Sequence, residues 1–156
     1  MVKPATERVL GALKSLGVTA EMKEFSESTR TAAEAAQAVG AEVGQIVKSL
    51  VFLAGQTPIL ALVSGAHQVD TSCLAAFAGA PISRAGADIV REATGYAIGG
   101  VPPVGHTSKL PTYCDAALQQ FELVWAAAGT PNTVFSIAPH DLIRITGAQV
   151  VELAKA

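Results

Sequence analysis

The sequence predicts an α+β domain built on a mixed sheet, curled or barrel-like in shape. Three observations lead there. Short segments rich in β-branched and large apolar residues recur along the chain, several of them joined by glycine-containing turns. Between them lie helices of two to three turns, most closed by a glycine. The two kinds of element do not alternate in a regular βαβ rhythm, which argues against a doubly wound parallel sheet. With 156 residues, half of them hydrophobic and 15% charged, the chain is most simply one domain over 1–156, too apolar for disorder.

The elements follow in order. Residues 5–16 place Val9, Leu10, Leu13 and Leu16 at helical spacing, and Gly17 stops the helix. Residues 18–25 read as a short strand. Thr31-Ala32-Ala33-Glu34 has the form of a capping box opening a small-residue helix over 32–39, closed by Gly40. Residues 45–53 form a buried strand, 55–57 a turn, and 59–64 its partner strand. Asp70 caps a helix over 71–78 that Gly79 ends. A short strand over 81–84 and a helix over 88–94 follow, with Gly95 after it. Residues 112–118 and 121–127 are extended, 129–132 is a turn, and 133–137 is a strand. Pro139 starts a helix over 139–145, ended by Gly147, and 148–153 is apolar enough to dock.

Composition narrows the function classes. A net charge of −2 and a pI of about 5.9 do not fit a protein that coats nucleic acid. A local basic patch could still draw on Lys3, Arg8, Lys14, Lys23, Arg30, Arg84, Arg91, Lys109 and Arg144. Cys73 and Cys114 match no metal motif, and nothing in the sequence pairs them. The first residues lack the apolar core of a signal peptide. Residues 49–69 carry no Asp, Glu, Lys or Arg, but Gly55-Gln56-Thr57-Pro58 interrupts them, so two strands and a turn are expected, not a membrane span. The expectation is a soluble, cytoplasmic protein.

Two stretches invite a chemical reading. On the strand over 45–53, Ile46, Lys48, Leu50 and Phe52 share one face, and Val47, Ser49, Val51 and Leu53 the other. A lysine among apolar neighbours must find a partner or lose its proton. It either snorkels to water or pairs with a structural carboxylate, or it is functional. His67, in the loop 64–70, invites a catalytic reading but has no obvious local Ser or Cys partner, which favours a surface histidine. The second stretch is Gly95-Tyr96-Ala97-Ile98-Gly99-Gly100-Val101-Pro102-Pro103-Val104-Gly105-His106. Glycines allow close backbone approach, and prolines stiffen the loop and remove donors. Ligand-facing amides here must come from Gly99, Gly100 or Val101, and such convergent amides suit an ester carbonyl and its oxyanion. The competing reading is a structural turn. No Rossmann or P-loop pattern fits.

Together, Thr31-Ala32-Ala33-Glu34-Ala35-Ala36, Ile46-Val47-Lys48-Ser49-Leu50-Val51-Phe52, the Gly95–Gly105 stretch and Ala127-Ala128-Gly129-Thr130-Pro131 make the chain resemble the YbaK/ProX-like aminoacyl-tRNA deacylases. The resemblance covers nearly the whole chain. The Val-Pro-Pro-Val-Gly-His form is most similar to the ProXp branches related to the editing insertion of prolyl-tRNA synthetase. It is less similar to the Ile-Ser-Pro branch acting on Cys-tRNA(Pro). The resemblance implies a curled mixed sheet flanked by helices, and hydrolysis of amino acids wrongly esterified to tRNA, often tRNA(Pro). It puts the family's lysine on Lys48 and its Gly-x-x-x-Pro loop on Gly99 to Pro103. Gly129 and Thr130 would form a further pocket wall, where some members carry a histidine that this chain lacks. Lys48, Gly99, Gly100 and Val101 are thus the candidate catalytic groups. Thr31, Ser64, His67, Ile98, Pro102, Pro103, Gly129 and Thr130 are the candidate substrate contacts, with Thr31 also explained as a cap.

No catalytic triad, Cys–His pair or metal cluster can be assembled from the sequence, so positioning and electrostatics are the expected means of catalysis. No cofactor is expected. The amides would hold the carbonyl, and Lys48 the terminal adenosine phosphate or the reacting centre. The nucleophile is water or the neighbouring 2′-hydroxyl. Candidate substrates are Ala, 2-aminobutyrate, Ser, Thr or Cys on tRNA, with prolyl-tRNA spared by the stiff Val101-Pro102-Pro103 edge. The acidic pI suggests weak tRNA binding or delivery by a synthetase or elongation factor. Two alternatives share the fold: a non-catalytic aminoacyl-tRNA or nucleotide binder, and a domain binding free amino acids.

Overall fold

A computed structural model describes residues 3–26 and 31–155. In chain order these form α1 (Pro4–Ser15), β1 (Met22–Glu24), α2 (Ala32–Val39), a 3₁₀ turn (Val43–Gln45), β2 (Ile46–Ala54), β3 (Thr57–Ser64), α3 (Thr71–Ala78), β4 (Ile82–Arg84), α4 (Ala87–Thr94), β5 (Thr112–Asp115), a second 3₁₀ turn (Ala116–Gln120), β6 (Val124–Ala127), β7 (Thr133–Ile137), α5 (Pro139–Thr146) and β8 (Gln149–Val151).

The strands make one mixed sheet in the order β1-β7-β6-β2-β3-β5-β8, with β4 also pairing to β2. The hairpin β2–β3 is its centre, in register from Val47↔Ser64 to Ala54↔Thr57. β6 runs parallel to β2, and β5 and β8 run parallel to β3 and to each other. Helices and loops cover both faces, which is why β3 reads as a continuous apolar run. Leu60 and Leu62 enter a core with Val9, Leu13, Phe135 and Leu142. Ile59, Ala61 and Val63 point the other way, to Leu74 and Leu153. At about 25 cal/mol per Å² of apolar surface, this double burial is the main force holding the sheet's centre.

Helix boundaries follow their caps. Thr31 Oγ1 accepts the Glu34 amide (3.1 Å), and Asp70 accepts those of Ser72 and Cys73 (3.0 and 3.3 Å). Gly40, Gly79, Gly95 and Gly147 end four helices in the left-handed conformation. The fold departs from expectation in four places. The sheet is open, with β1 and β8 as its ends, so it is not a barrel. The strand over 18–25 shrinks to three residues, because the Val18 amide closes the end of α1 on Leu13 O and only Met22–Glu24 reach β7. The segment 112–118 stops being a strand at Asp115, whose carboxylate caps the following turn. Finally, the tail forms β8, not merely a docked segment.

Cys73 and Cys114 are both free thiols. Arg30 lies outside the described residues. Three of the other basic side chains have partners of their own: Arg8 stacks on Tyr96, Lys23 lies over Trp125, and Arg144 pairs with Asp141. Among the described residues, no helix is long and apolar enough to cross a membrane.

Candidate active site

The sheet has a gap, and the main cavity lies in it. Along its full length one edge of β2 pairs with β3. The other edge pairs with β6 only at Ile46 and Val47, then with β4 only from Phe52 to Ala54. Between these ladders the edge is bare, and a cavity of about 320 Å³ opens against it. That is why seven consecutive residues, Ile46 to Phe52, line the cavity: an edge exposes both faces of a strand. Ile98, Gly99 and Val101 also line the cavity. Ala126, Ala127 and Thr130 close one end, Arg84 and Ala85 the other, and α2 adds Thr31, Ala32 and Ala35. The wall is mostly apolar, and Lys48 and Arg84 are its charged groups among the described residues.

Lys48 is held from behind. Its Nζ donates to the His67 carbonyl (2.5 Å). Burial lowers its pKa from the usual lysine value, and the nearby Asp115 carboxylate partly opposes that shift. Asp115 is 2% exposed and organises this corner. Its Oδ2 accepts the Ser64 amide (3.1 Å) and the His67 Nδ1–H (2.8 Å), and its Oδ1 accepts the Ala117 amide (3.0 Å). A carboxylate accepts only, so Nδ1 carries the proton. The 64–67 loop is pressed tightly here: a Cβ on Gly65 would lie 2.5 Å from Val43 O. Ser64 does not complete a triad, since its hydroxyl donates to Gly44 O (2.8 Å) and accepts the Ala66 amide (3.3 Å). His67 and Ser64 support Lys48 and do not line the cavity. The paired histidine replaces the surface histidine expected from sequence.

The glycine–proline loop divides its residues between chemistry and packing. The Gly100 amide closes a turn on Ala97 O (3.0 Å), so it is not available to a ligand. A Cβ on Gly100 would stand 3.0 Å from both Gly129 O and Thr130 Cα; glycine here permits packing against the 129–132 turn. The amides of Gly99 and Val101 bond no group among the described residues. Pro102 and Pro103 are buried and face away from the cavity. The Pro102 carbonyl accepts the His106 Nε2–H (2.6 Å), and Pro103 lines a separate hollow with His106 and Ile145. Burial lowers the His106 pKa, against the raising effect of that bond. Behind the loop, Arg8 stacks on Tyr96 at 4.6 Å, and Tyr96 donates to Gly105 O (3.0 Å).

The cavity therefore brings together Lys48, Gly99, Val101, Ile98, Thr31 and Thr130 from the sequence-derived set. Thr31 is committed to its cap, and the Thr130 hydroxyl is engaged with Thr133 Oγ1 (2.8 Å) and Asn132 Oδ1 (3.0 Å). Gly100, Pro102, Pro103 and Gly129 are scaffold. Sequence reasoning missed Asp115, 48 positions from His67, and left Arg84 and Ser49 without a role. An aspartate closing an otherwise apolar strand was the one available signal for Asp115. No group of three or more metal-ligating side chains is gathered among the described residues.

This fold and site have relatives. A family model described as an aminoacyl-tRNA editing domain matches residues 26–145. A crystal structure of a candidate trans-editing enzyme for prolyl tRNA synthetase is 49% identical and superposes over 100% of both chains with a TM-score of 0.96. EbsC of Enterococcus faecalis, named a candidate Cys-tRNA(Pro)/Cys-tRNA(Cys) deacylase, is 29% identical over 131 residues, 83% of this chain and 80% of its own. YwhH of Bacillus subtilis is 30% identical over 83% of each chain.

Proposed function

The chain belongs to the aminoacyl-tRNA editing domain family, and from that premise we propose that it hydrolyses the ester of a small, wrongly attached amino acid on tRNA, with tRNA(Pro) the favoured carrier. One observation carries the reading: the same cavity is lined by a partly buried lysine and by a loop whose Gly99 and Val101 amides are unpaired among the described residues.

The substrate is an activated ester, so modest catalysis suffices. The Gly99 and Val101 amides receive the ester carbonyl and stabilise the oxyanion that forms on attack. Lys48 uses one of its three protons on His67 O and has two left for the substrate. It holds the reacting centre or the terminal adenosine phosphate. Water, or the neighbouring 2′-hydroxyl, adds to the carbonyl. The tetrahedral intermediate collapses, the C–O bond to the ribose breaks, and the ribose oxygen takes up a proton. The exposed Arg84 side chain, free of hydrogen bonds among the described residues, is placed at the cavity's end to meet the phosphate backbone. A synthetase or elongation factor would compensate for the acidic chain's weak general affinity for tRNA.

Selectivity follows from size. Val47, Val51, Val90 and Ala126 leave room for a small side chain, and Val101 and Ile98 occupy the edge first ascribed to the prolines. An apolar wall of this kind separates a methyl from a hydroxyl only about a hundredfold, so Ala, Ser, Thr, 2-aminobutyrate and Cys stay in one class.

The test is hydrolysis of tRNA(Pro) carrying Ala, 2-aminobutyrate, Ser, Thr, Cys or Pro by the wild type and by Lys48→Ala. The reading requires lysine-dependent loss of at least one small amino acid with Pro spared. Turnover of none of them would overturn it in favour of a non-catalytic binder. Unchanged turnover by Lys48→Ala would remove the lysine from the mechanism.

A further inference from the structure

The bare stretch of β2 carries a pattern that the proposed reaction has not used. Gly65 N–H donates to Ile46 O at 2.7 Å, so Ile46 turns its backbone groups towards β3. In an antiparallel pair this direction alternates, so Lys48 and Leu50 do the same, while Val47, Ser49, Val51 and Leu53 turn the other way. The Gly55 amide, bonded to Pro81 O at 2.9 Å, confirms the alternation at the far end. Val47 is taken up by β6 and Leu53 by β4. Ser49 sits between the two ladders, facing the cavity. Neither its N–H nor its C=O is bonded on that side among the described residues. Its hydroxyl is also buried without a partner.

A backbone N–H and C=O left open side by side on a cavity-lining residue, beside a buried hydroxyl that also lacks a partner, point to a ligand. The ligand's chemistry follows from the wall. Lys48 and Arg84 are cations, and among the described residues no carboxylate lines the cavity. An incoming α-amino group therefore needs a neutral acceptor, and the Ser49 carbonyl on the open edge provides one.

Resting on the deacylase reading, we propose that the aminoacyl group docks on Ser49 as a one-residue β-strand: its α-amine donates to the Ser49 C=O, and its ester carbonyl accepts the Ser49 N–H. This is strand addition reduced to a single residue. A carbonyl oxygen has two lone pairs, so the second remains for one of the Gly99 and Val101 amides, and the oxyanion formed on attack gains a third for the other. The Ser49 hydroxyl, buried as it stands, would serve the amine as a second acceptor after a turn about χ1. The side chain of the amino acid then leaves the edge perpendicular to the strand, towards the apolar walls.

The experiment compares, on the same tRNA, the small aminoacyl ester that the enzyme hydrolyses best with its des-amino analogue, for example alanyl against propionyl. Each rate is divided by the spontaneous rate of that ester, which removes the inductive effect of the amine. The proposal expects wild type to lose at least about tenfold in relative kcat/KM on the des-amino ester, the scale of one charge-assisted hydrogen bond. Ser49→Ala should lose several-fold on the aminoacyl ester and nothing on its analogue. Equal acceleration of both esters by wild type would overturn the strand-like docking and leave the deacylase reading intact. An equal loss by Ser49→Ala on both would overturn the hydroxyl's part. Hydrolysis of no ester at all would overturn the underlying reading and this inference with it.

Discussion

Replacing Asp115 with asparagine should damage stability and activity together. The two residues have the same shape, so no cavity forms. The carboxylate accepts on both oxygens: Ser64 N–H and His67 Nδ1–H on one, Ala117 N–H on the other. Asparagine has one oxygen and one NH₂. In its better orientation the oxygen keeps Ser64 and His67, and the NH₂ meets the Ala117 amide, donor against donor. One buried backbone bond is lost, at about 1–3 kcal/mol. The two remaining bonds lose their charge assistance, roughly half their strength, or about 1 kcal/mol more. The sum is about 2–4 kcal/mol. For a domain of this size each kcal/mol moves Tm by about 2–4 °C, so Tm should fall by roughly 4–16 °C. The same change removes the anion that raises the Lys48 pKa, so that pKa should drop further. The alkaline limb of deacylation should then move to lower pH than in the wild type. Circular-dichroism melts and deacylation rates from pH 6 to 10, corrected for spontaneous hydrolysis, check both effects. A Tm within about 2 °C of wild type, with an unmoved alkaline limb, would refute the role assigned to Asp115.

Further expectations concern the cavity itself. Because burial lowers the Lys48 pKa, the folded chain holds fewer protons than the unfolded chain between that lowered value and 10.5. Stability should therefore rise with pH across this window, and Lys48→Met should abolish the rise in urea titrations at neutral and alkaline pH. Ser49→Ala removes a buried hydroxyl without a partner, so it should leave the free protein as stable or up to about 1 kcal/mol more stable, while slowing deacylation. A clear fall in its Tm would mean that the hydroxyl is satisfied within the fold. Gly100→Ala drives a Cβ against the Gly129–Thr130 backbone at 3.0 Å and should cost about 1–3 kcal/mol in chemical denaturation. It should also slow deacylation by displacing the neighbouring Val101 amide; normal stability and turnover would show that the turn yields freely.

Much of the fold is readable from short range because its determinants act at short range. Thr31 with Glu34, Asp70 with the amides of Ser72 and Cys73, and glycines just past helix ends close their bonds within a few residues. Helix bounds at Ala32–Val39 and Thr71–Ala78 follow from them directly. The apolar alternation of β2 and β3 likewise marks a buried hairpin, since a slip of one residue would turn every side chain to the wrong face. Lys48 and the 95–106 loop stand out by composition alone, and their order along the chain carries the family.

The remaining features depend on partners far apart in sequence. Asp115 reaches His67 across 48 positions, and nothing near either residue announces the other. Which loop amides stay free depends on the turn from Gly100 to Ala97 and on the backbone of Gly129 pressed against it. The prolines, prominent in the sequence, turn into the protein. The cavity itself exists because β6 leaves β2 after Val47 and β4 joins it only at Phe52. The sequence alone determined the helices, the central hairpin and the prominence of Lys48 and the glycine–proline loop, because propensity, capping and period are local. Tertiary structure alone decided which backbone groups of Ser49, Gly99 and Val101 stay unbonded among the described residues, because a hydrogen-bonding group is free only once every other segment has taken its place.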